Sequence, residues 1–157
     1  MKLTNNTIFI TGGTSGIGRA MAEKFHQLGN QVIISGRREA LLKDVTAASP
    51  GMDYVVLDVT RADSIQAAAE QVLKRYPALN VVINNAGIMP FDNAAGELDD
   101  AQAVTLLNTN ILGPVRVSAA FIEHLKQQPD ALLINNSSVL AFLPLATNAL
   151  YSATKAA

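Results

Sequence analysis

The segment Thr11-Gly12-Gly13-Thr14-Ser15-Gly16-Ile17-Gly18 follows a short apolar run and opens a helical pattern. A glycine-rich turn between a strand and a helix lets the backbone approach a pyrophosphate, which exposed N–H groups and the positive helix end then hold. Glycines in such a place can also serve only to turn the chain tightly. The position between a strand and an amphipathic helix favours the anion site.

On both sides of this turn, short apolar runs alternate with longer helical patterns along the whole chain. The runs predict strands at Thr7–Ile10, Gln31–Ser35, Asp53–Leu57, Val81–Asn84 and Ala131–Asn136. Helices are predicted near Ile17–Leu28, Arg38–Ala47, Ser64–Tyr76, and in one long stretch from about Asp99 to Lys126, with Thr60 and Asp63 as candidate N-caps of the third. This alternation predicts βαβ units, and therefore an α/β fold with a parallel sheet covered on both faces.

The composition of the chain argues against several classes of function. Hydrophobic residues make up 49% of the chain and charged residues 16%, which suits one domain over residues 1–157 with its own core. A net charge of −1 gives no basic field for nucleic acid, and no run approaches the ~18 apolar residues of a membrane span. With no cysteine and with His26 and His124 far apart, we expect no metal site and a cytoplasmic location.

Four polar residues form the candidate catalytic set: Asn110, Ser138, Tyr151 and Lys155. Tyr151 and Lys155 are four residues apart and share one face of a helix. A nearby ammonium stabilises a phenolate, so that the phenol can exchange a proton with an alcohol or a carbonyl. Each residue alone also has an ordinary explanation, such as an exposed pair or a polar strand end. The interpretation rests on their joint order.

These stretches resemble the short-chain dehydrogenase/reductase family. The turn matches its T-G-x-x-x-G-x-G signature, and the segments that match its later elements are Asn84-Asn85-Ala86-Gly87, Asn110-Ile111-Leu112-Gly113 and Tyr151-Ser152-Ala153-Thr154-Lys155. The resemblance implies a Rossmann-type doubly wound parallel sheet with strand order 3-2-1-4-5. It also implies an NAD(P)-dependent oxidoreductase acting on a small-molecule carbonyl or alcohol substrate.

The resemblance also assigns roles to single residues. Tyr151 is the general acid and base, Lys155 lowers its pKa and binds the nicotinamide ribose, and Ser138 polarises the substrate oxygen. Asn110 positions a water that links Lys155 to solvent. The candidate cofactor-binding residues are Thr11, Gly12, Thr14, Ser15, Gly16, Ile17, Gly18, Arg37, Arg38, Asp58, Val59, Asn85, Ala86, Gly87, Tyr151 and Lys155.

The residues after the second strand indicate which cofactor is used. Selection of NAD needs an acid near this point to bind the ribose 2′-hydroxyl. Here the sequence is Ser35-Gly36-Arg37-Arg38, and the first acid is Glu39. Guanidinium groups suit a 2′-phosphate, so we predict NADP, with NAD possible. The arginines could instead only solvate the start of the next helix.

A finer similarity points to a bacterial branch labelled DltE-like, carried by Met1–Thr7, Ala78–Asn80, Gln128–Ala131 and Leu140–Ala146. This label says little about the substrate. The rival function is a non-catalytic module that binds or senses NADP(H). The presence of both Tyr151 and Lys155 favours an enzyme over that module. A flavodoxin-like signalling domain would need an acidic cluster at the end of the first strand, and this sequence has none there.

Members of the family continue beyond the catalytic helix with two more strands and a substrate loop. The resemblance therefore implies a C-terminally truncated domain, a 157-residue fragment with little or no activity, and a complete protein that forms a homodimer or homotetramer. The apolar residues from Phe91 and along Leu140–Leu145 could line a substrate pocket or cover the sheet.

Overall fold

A computed structural model describes residues 2–92 and 94–157. The strands are β1 Thr7–Thr11, β2 Gln31–Gly36, β3 Asp53–Val56, β4 Val81–Asn84 and β5 Leu132–Asn135. The α-helices are α1 Gly16–Gln27, α2 Glu39–Ala47, α3 Ala62–Arg75, α4 Asp100–Leu107, α5 Gly113–Leu125 and α6 Ala149–Ala156. A π-helical segment, Asn108–Leu112, joins α4 to α5, and short 3₁₀ turns occupy Val139–Ala141 and Ala146–Asn148.

All five strands form one parallel sheet in the order β3-β2-β1-β4-β5. Phe9 in the central strand lies opposite Ile33 of β2 and Val82 of β4. The strand order reverses between β1 and β4, and in such sheets ligands bind outside the carboxyl ends of the strands at this point. The predicted doubly wound α/β fold and its strand order are therefore confirmed.

The sheet separates two hydrophobic cores because successive side chains of a strand point to opposite faces. Phe9 packs with helices α3 and α5, and its ring centroid lies 5.0 Å from that of Phe121. Ile8 and Ile10 pack on the other face with residues of α1 and α2. The strands are almost entirely apolar because helices cover both faces of the sheet. The packed sheet and helices fix the positions of the polar residues at the carboxyl ends of the strands.

The predicted long helix is interrupted, which corrects one sequence-based expectation. Residues Asn108–Leu112 form a π-helical segment between α4 and α5. Pro114 supplies the physical reason, because its ring has no N–H to give to the carbonyl of Asn110 and would clash with that carbonyl in a regular helix. Such π-helical turns occur frequently at functional sites. Asn110 lies in the middle of this one.

Helix α3 also begins differently from the expectation. Its N-cap residue is Arg61, and neither Thr60 nor Asp63 caps it. The hydroxyl and the N–H of Thr60 instead both donate to the Asp58 carboxylate, at 2.7 and 3.0 Å. Thr60 therefore shapes the loop after β3 rather than the helix. Among the described residues, no helix has the length and apolar character needed to cross a membrane.

Candidate active site

An open cleft lies at the carboxyl ends of the strands, where the order of the sheet reverses. Its volume is about 750 Å³, within the ~300–1,000 Å³ of ordinary ligand sites. Fifteen of the predicted site residues line it: Gly12, Thr14, Ser15, Ile17, Gly18, Arg37, Arg38, Asp58, Val59, Asn85, Ala86, Gly87, Ser138, Tyr151 and Lys155. The fold therefore gathers segments that are far apart in sequence.

The glycine turn lies directly against the loop that follows β4. Gly12 has a φ of +70°, and a Cβ there would stand 2.9 Å from the Cα of Ala86. A Cβ on Gly18 would overlap the carbonyl oxygen of Gly12. Side chains at these positions would push the turn and the loop apart. Glycine is therefore required for the close approach that keeps the start of α1 facing the cleft.

Thr11, the last residue of β1, lies behind the cleft wall and holds this approach together. Its hydroxyl accepts hydrogen bonds from the N–H groups of Asn85 and Ala86, both at 3.0 Å. The side-chain amide of Asn85 donates back to the carbonyl of Thr11, also at 3.0 Å. Thr11 is only 2% exposed. Its position therefore suits support of the turn, rather than contact with a ligand.

The same network continues to the lysine of α6 through Asn136, which the sequence analysis missed. The amide of Asn136 donates to the Asn85 side-chain oxygen at 2.9 Å, and the Asn136 carbonyl accepts from Lys155 Nζ at 2.8 Å. A signal was present, because Asn84-Asn85 and Asn135-Asn136 end two strands. The register pairs Asn84 with Asn135, and so brings the following asparagines together.

Tyr151 and Lys155 lie on one face of α6, at the edge of the cleft. Lys155 Nζ is 5.8 Å from the centre of the Tyr151 ring. Burial lowers the pKa of Lys155 from its usual 10.5. In the part of the chain that the structure describes, the Tyr151 hydroxyl donates to no protein group. Its proton is therefore available to a substrate oxygen in the cleft.

Ser138 also faces the cleft, at the start of the 3₁₀ turn that follows β5. Its hydroxyl accepts from the N–H of Leu140 at 3.2 Å, which caps the turn. This bond fixes the oxygen and leaves the hydroxyl proton free to be donated. Ser137, its neighbour, instead donates to the Lys155 carbonyl at 2.8 Å. Both serines line the cleft, but the hydroxyl of Ser137 is engaged by the Lys155 carbonyl, and that of Ser138 keeps its proton for a ligand.

Asn110 does not line the cleft and is only 7% exposed. Its side-chain oxygen accepts from the N–H of Ile88 and its amide donates to the Ile88 carbonyl, both at 2.9 Å. The amide also donates to the Thr154 hydroxyl at 3.2 Å. Asn110 therefore ties the loop after β4 to α6. Thr154 has no sequence signal beyond its place in the Tyr151–Lys155 segment.

The part of the cleft next to the end of β2 carries exposed positive charge. Arg37 and Arg38 line it, and no ion pair of either is found among the described residues. Glu39, the first acid after β2, instead pairs with Lys43 at 3.0 Å. Its hydrogen bond with Lys43 and the charge of Lys43 hold the pKa of Glu39 below its usual value. This acid is thus engaged away from the cleft.

Asp58 also lines the cleft, in the loop after β3, the strand next to β2. Burial alone would raise the pKa of this carboxyl, but hydrogen bonds from Thr60 and the charges of Arg37 and Arg61 outweigh it. The pKa of Asp58 therefore lies below its usual value, and the group stays a carboxylate near neutral pH. Its fixed acceptor oxygens suit an amino or N–H group of a purine ring.

The sequence and the fold were compared with those of known proteins. A family model described as short chain dehydrogenase matches residues 6–157. An uncharacterized oxidoreductase, DltE of Bacillus subtilis, is 44% identical over all of this chain and 63% of its own length. The NADPH-dependent 1-acyldihydroxyacetone phosphate reductase of Schizosaccharomyces pombe is 36% identical over 96% of this chain and 50% of its own length.

Solved structures agree with this placement. A short-chain dehydrogenase from Streptomyces avermitilis has a TM-score of 0.90 and 33% identity, over 97% of this chain and 56% of that one. The chain therefore spans between about half and two thirds of the length of these relatives. Within that span it carries the glycine turn Gly12–Gly18, the segment Asn84–Gly87, and helix α6 with Tyr151 and Lys155. On sequence and fold alike, this chain belongs to the short chain dehydrogenase family.

Proposed function

We propose that the complete protein is an NADP(H)-dependent oxidoreductase that interconverts a carbonyl compound and its alcohol, with Tyr151 as general acid and base. One observation carries the proposal: a glycine-built turn and the pair Tyr151 and Lys155 line the same cleft. A phosphate site and a proton-transfer group on separate surfaces would not serve one reaction. A single cleft of about 750 Å³ has room for both ligands.

The residues present fit a dinucleotide. The start of α1 directs N–H groups and positive potential at the glycine turn, where a pyrophosphate would lie. A Cβ on Gly12 would fill the space that separates this turn from Ala86. Lys155 and Tyr151, at the far end of the cleft, would hold the ribose of the nicotinamide. When bound, the cofactor supplies the hydride chemistry, and the protein supplies orientation and charge.

The protein groups divide the proton chemistry among themselves. In the direction of reduction, Tyr151 donates its hydroxyl proton to the substrate oxygen as that oxygen becomes an alcohol. In the direction of oxidation, the tyrosinate takes the proton back. Ser138 holds the substrate oxygen with its hydroxyl proton, and Lys155 provides the positive charge that favours the tyrosinate. We propose further that Asn110 orders a water on the path from Lys155 to solvent.

Preference for NADP(H) is the finer part of the proposal. Neither Arg37 nor Arg38 forms an ion pair among the described residues, although the charge of Arg37 acts on Asp58, and a 2′-phosphate would give both a partner. Glu39, which could have accepted from a ribose 2′-hydroxyl, is paired with Lys43. The name of the fission-yeast relative includes NADPH dependence. These observations favour NADP(H) over NAD(H).

The direct test is a titration of the complete protein with NADPH and NADH, followed by a turnover assay. Oxidation of NADPH would be monitored at 340 nm with aldehydes and ketones of graded size. We expect tighter binding of NADPH than of NADH, and turnover with at least some carbonyl compounds. NADPH binding with no turnover on any compound would favour the binding or sensing module. Failure to bind either nucleotide would contradict both functions.

Two other expectations stay predictions, namely the cytoplasmic location and the homodimer or homotetramer. Exposed apolar side chains along α4 and α5, among them Val104, Leu107 and Val115, are consistent with a subunit contact. Sedimentation of the complete protein would check the oligomeric state.

A further inference from the structure

We propose that Asp92 is a positioning residue that holds the helix of Tyr151 and Lys155 in place, an inference that rests on the proposed function. Asp92 lies in the loop after β4, far from α6 in sequence. One carboxylate oxygen accepts from the N–H of Ala149 at 2.6 Å, and the other accepts from the N–H of Leu150 at 3.0 Å. These two residues directly precede Tyr151 in the first turn of α6.

The first turn of a helix leaves N–H groups that have no partner within the helix. In most helices the residue just before the first turn accepts from them with its own side chain. Here that residue is Asn148, and its side chain makes no such bond to α6. Asp92 supplies the missing acceptors from another part of the chain. Its negative charge also lies at the positive end of the helix, where it is stabilising.

The surrounding contacts show that the whole loop, rather than one side chain, is fastened to α6. The Asn148 amide donates to the Pro90 carbonyl, and the N–H of Asp92 donates to the Thr147 carbonyl, both at 3.0 Å. Asn110 holds Ile88, four residues before Asp92, on both its N–H and its carbonyl. The loop therefore links the π-helical segment to the start of α6.

Placement of Tyr151 depends on this link, because the tyrosine follows the two capped residues directly. A misplacement of about 1 Å in a catalytic group can cost on the order of 10²-fold in rate. Asp92 contacts the backbone of α6 and lines no part of the cofactor cleft. Its loss should therefore lower kcat much more than nucleotide affinity, because the Asn136 carbonyl still holds Lys155. Loss of a residue that supports only overall stability would not lower kcat so much more than it lowers nucleotide affinity.

The test compares Asp92→Ala with Asp99→Ala in the complete protein. Asp99 caps α4 in a similar way, accepting from the N–H of Gln102 at 3.0 Å, and among the described residues no hydrogen bond or ion pair joins it to α6. Three quantities are measured for each variant: kcat, the Kd for NADPH, and amide hydrogen exchange of α4 and α6. The variant Asp92→Asn, which keeps the shape and one strong acceptor, completes the series.

For Asp92→Ala we expect faster exchange at Ala149 and Leu150, a kcat lowered by about tenfold to 100-fold, and a Kd for NADPH within about twofold. For Asp99→Ala we expect faster exchange confined to α4, and a kcat within about twofold of the unsubstituted protein. Asp92→Asn should recover part of the lost kcat.

Unchanged exchange at Ala149 and Leu150 in Asp92→Ala would overturn the proposal. So would an equal loss of kcat in the two alanine variants. If the unsubstituted protein shows no turnover with any carbonyl compound, the proposed function fails. The exchange measurement would still decide whether Asp92 holds α6.

Discussion

The ammonium of Lys155 lies 5.8 Å from the centre of the Tyr151 ring and donates to the carbonyl of Asn136 at 2.8 Å. Its position is thus fixed from two sides, by the geometry of α6 and by the end of β5. No carboxylate of the described chain forms an ion pair with it. Burial without a compensating negative charge is the cause of its lowered pKa.

This arrangement predicts an unusual titration for Lys155. Its ammonium should lose its proton below pH 10.5, because burial disfavours the charged form. Lys43 is the matched control: its hydrogen bond to Glu39 and the charge of Glu39 raise its pKa above 10.5. The ¹³Cε shifts of labelled lysines, assigned with Lys155→Met, would follow both groups in the nucleotide-free protein. A midpoint for Lys155 at or above that of Lys43 would contradict the account.

The charges of Arg37 and Arg38 predict the cofactor preference. Arg37→Asp should weaken binding of NADPH much more than binding of NADH. A charge-assisted hydrogen bond contributes about 1.5–3 kcal/mol, so the ratio of the two Kd values should change by about tenfold or more. Lys126→Asp makes the same change of charge at an exposed residue that pairs with Glu123. Equal changes in the two variants would point to a general effect of charge rather than to a phosphate contact.

Because the glycine turn lies close to Ala86, a single added methyl group at Gly12 is predicted to lower the free energy of unfolding strongly. Gly12→Ala would place a Cβ 2.9 Å from the Cα of Ala86, at a φ of +70°. Gly29→Ala provides the control, since Gly29 has a φ of +83° with no atom within 4 Å of the added Cβ. Both variants carry a backbone penalty of about 1–2 kcal/mol, and Gly12→Ala adds about 1–3 kcal/mol for the overlap.

Urea unfolding measures this difference directly. The free energy of unfolding should be lower for Gly12→Ala than for Gly29→Ala, and the Kd for NADPH should rise only in the former. Equal stability of the two variants would mean that the turn can move away from Ala86 at no cost.

Features of the fold that are set by residues close together in sequence could be predicted, whereas contacts between distant segments mostly could not. The strands and the turn at Gly12–Gly18 were predictable because apolar periodicity and glycine spacing are local signals. The interruption at Asn108–Leu112 carried a local signal too, Pro114, which the regular periodicity of the flanking helices masked. The contact between Asn136 and Asn85 follows only once the register of β4 and β5 is known, and Asp92 acts across a distance in sequence that no local pattern reports.

Tyr76 and Asp53, at the β3 edge of the sheet, predict a pH dependence of the free energy of unfolding. Burial, the hydrogen bond to Asp53 at 2.5 Å and the charge of Asp53 raise the pKa of Tyr76 to about 12. The native state thus favours the protonated phenol, whose usual pKa is 10.0. The resulting stabilisation is fully present below pH 10 and is lost as the pH rises from 10 through about 12.

Tyr76→Phe should therefore lose about 1 kcal/mol at pH 7, and its stability should fall less steeply above pH 10 than that of the unsubstituted protein. Tyr54→Phe is the control, because the Tyr54 hydroxyl makes only a 3.4 Å contact with exposed Glu39. Urea unfolding at pH 7, 10 and 11 would check both. An identical pH slope for Tyr76→Phe and the unsubstituted protein would contradict the role of this hydrogen bond.

Paired measurements of kcat and of the Kd for NADPH on Tyr151→Phe in the complete protein test whether the hydroxyl of Tyr151 transfers the proton. We expect kcat for reduction of a carbonyl substrate to fall by about 10²–10⁴-fold, the usual contribution of a positioned acid. The Kd for NADPH should stay within about twofold, since the ring and Lys155 remain in place. Turnover close to that of the unsubstituted protein, at unchanged NADPH affinity, would contradict the account.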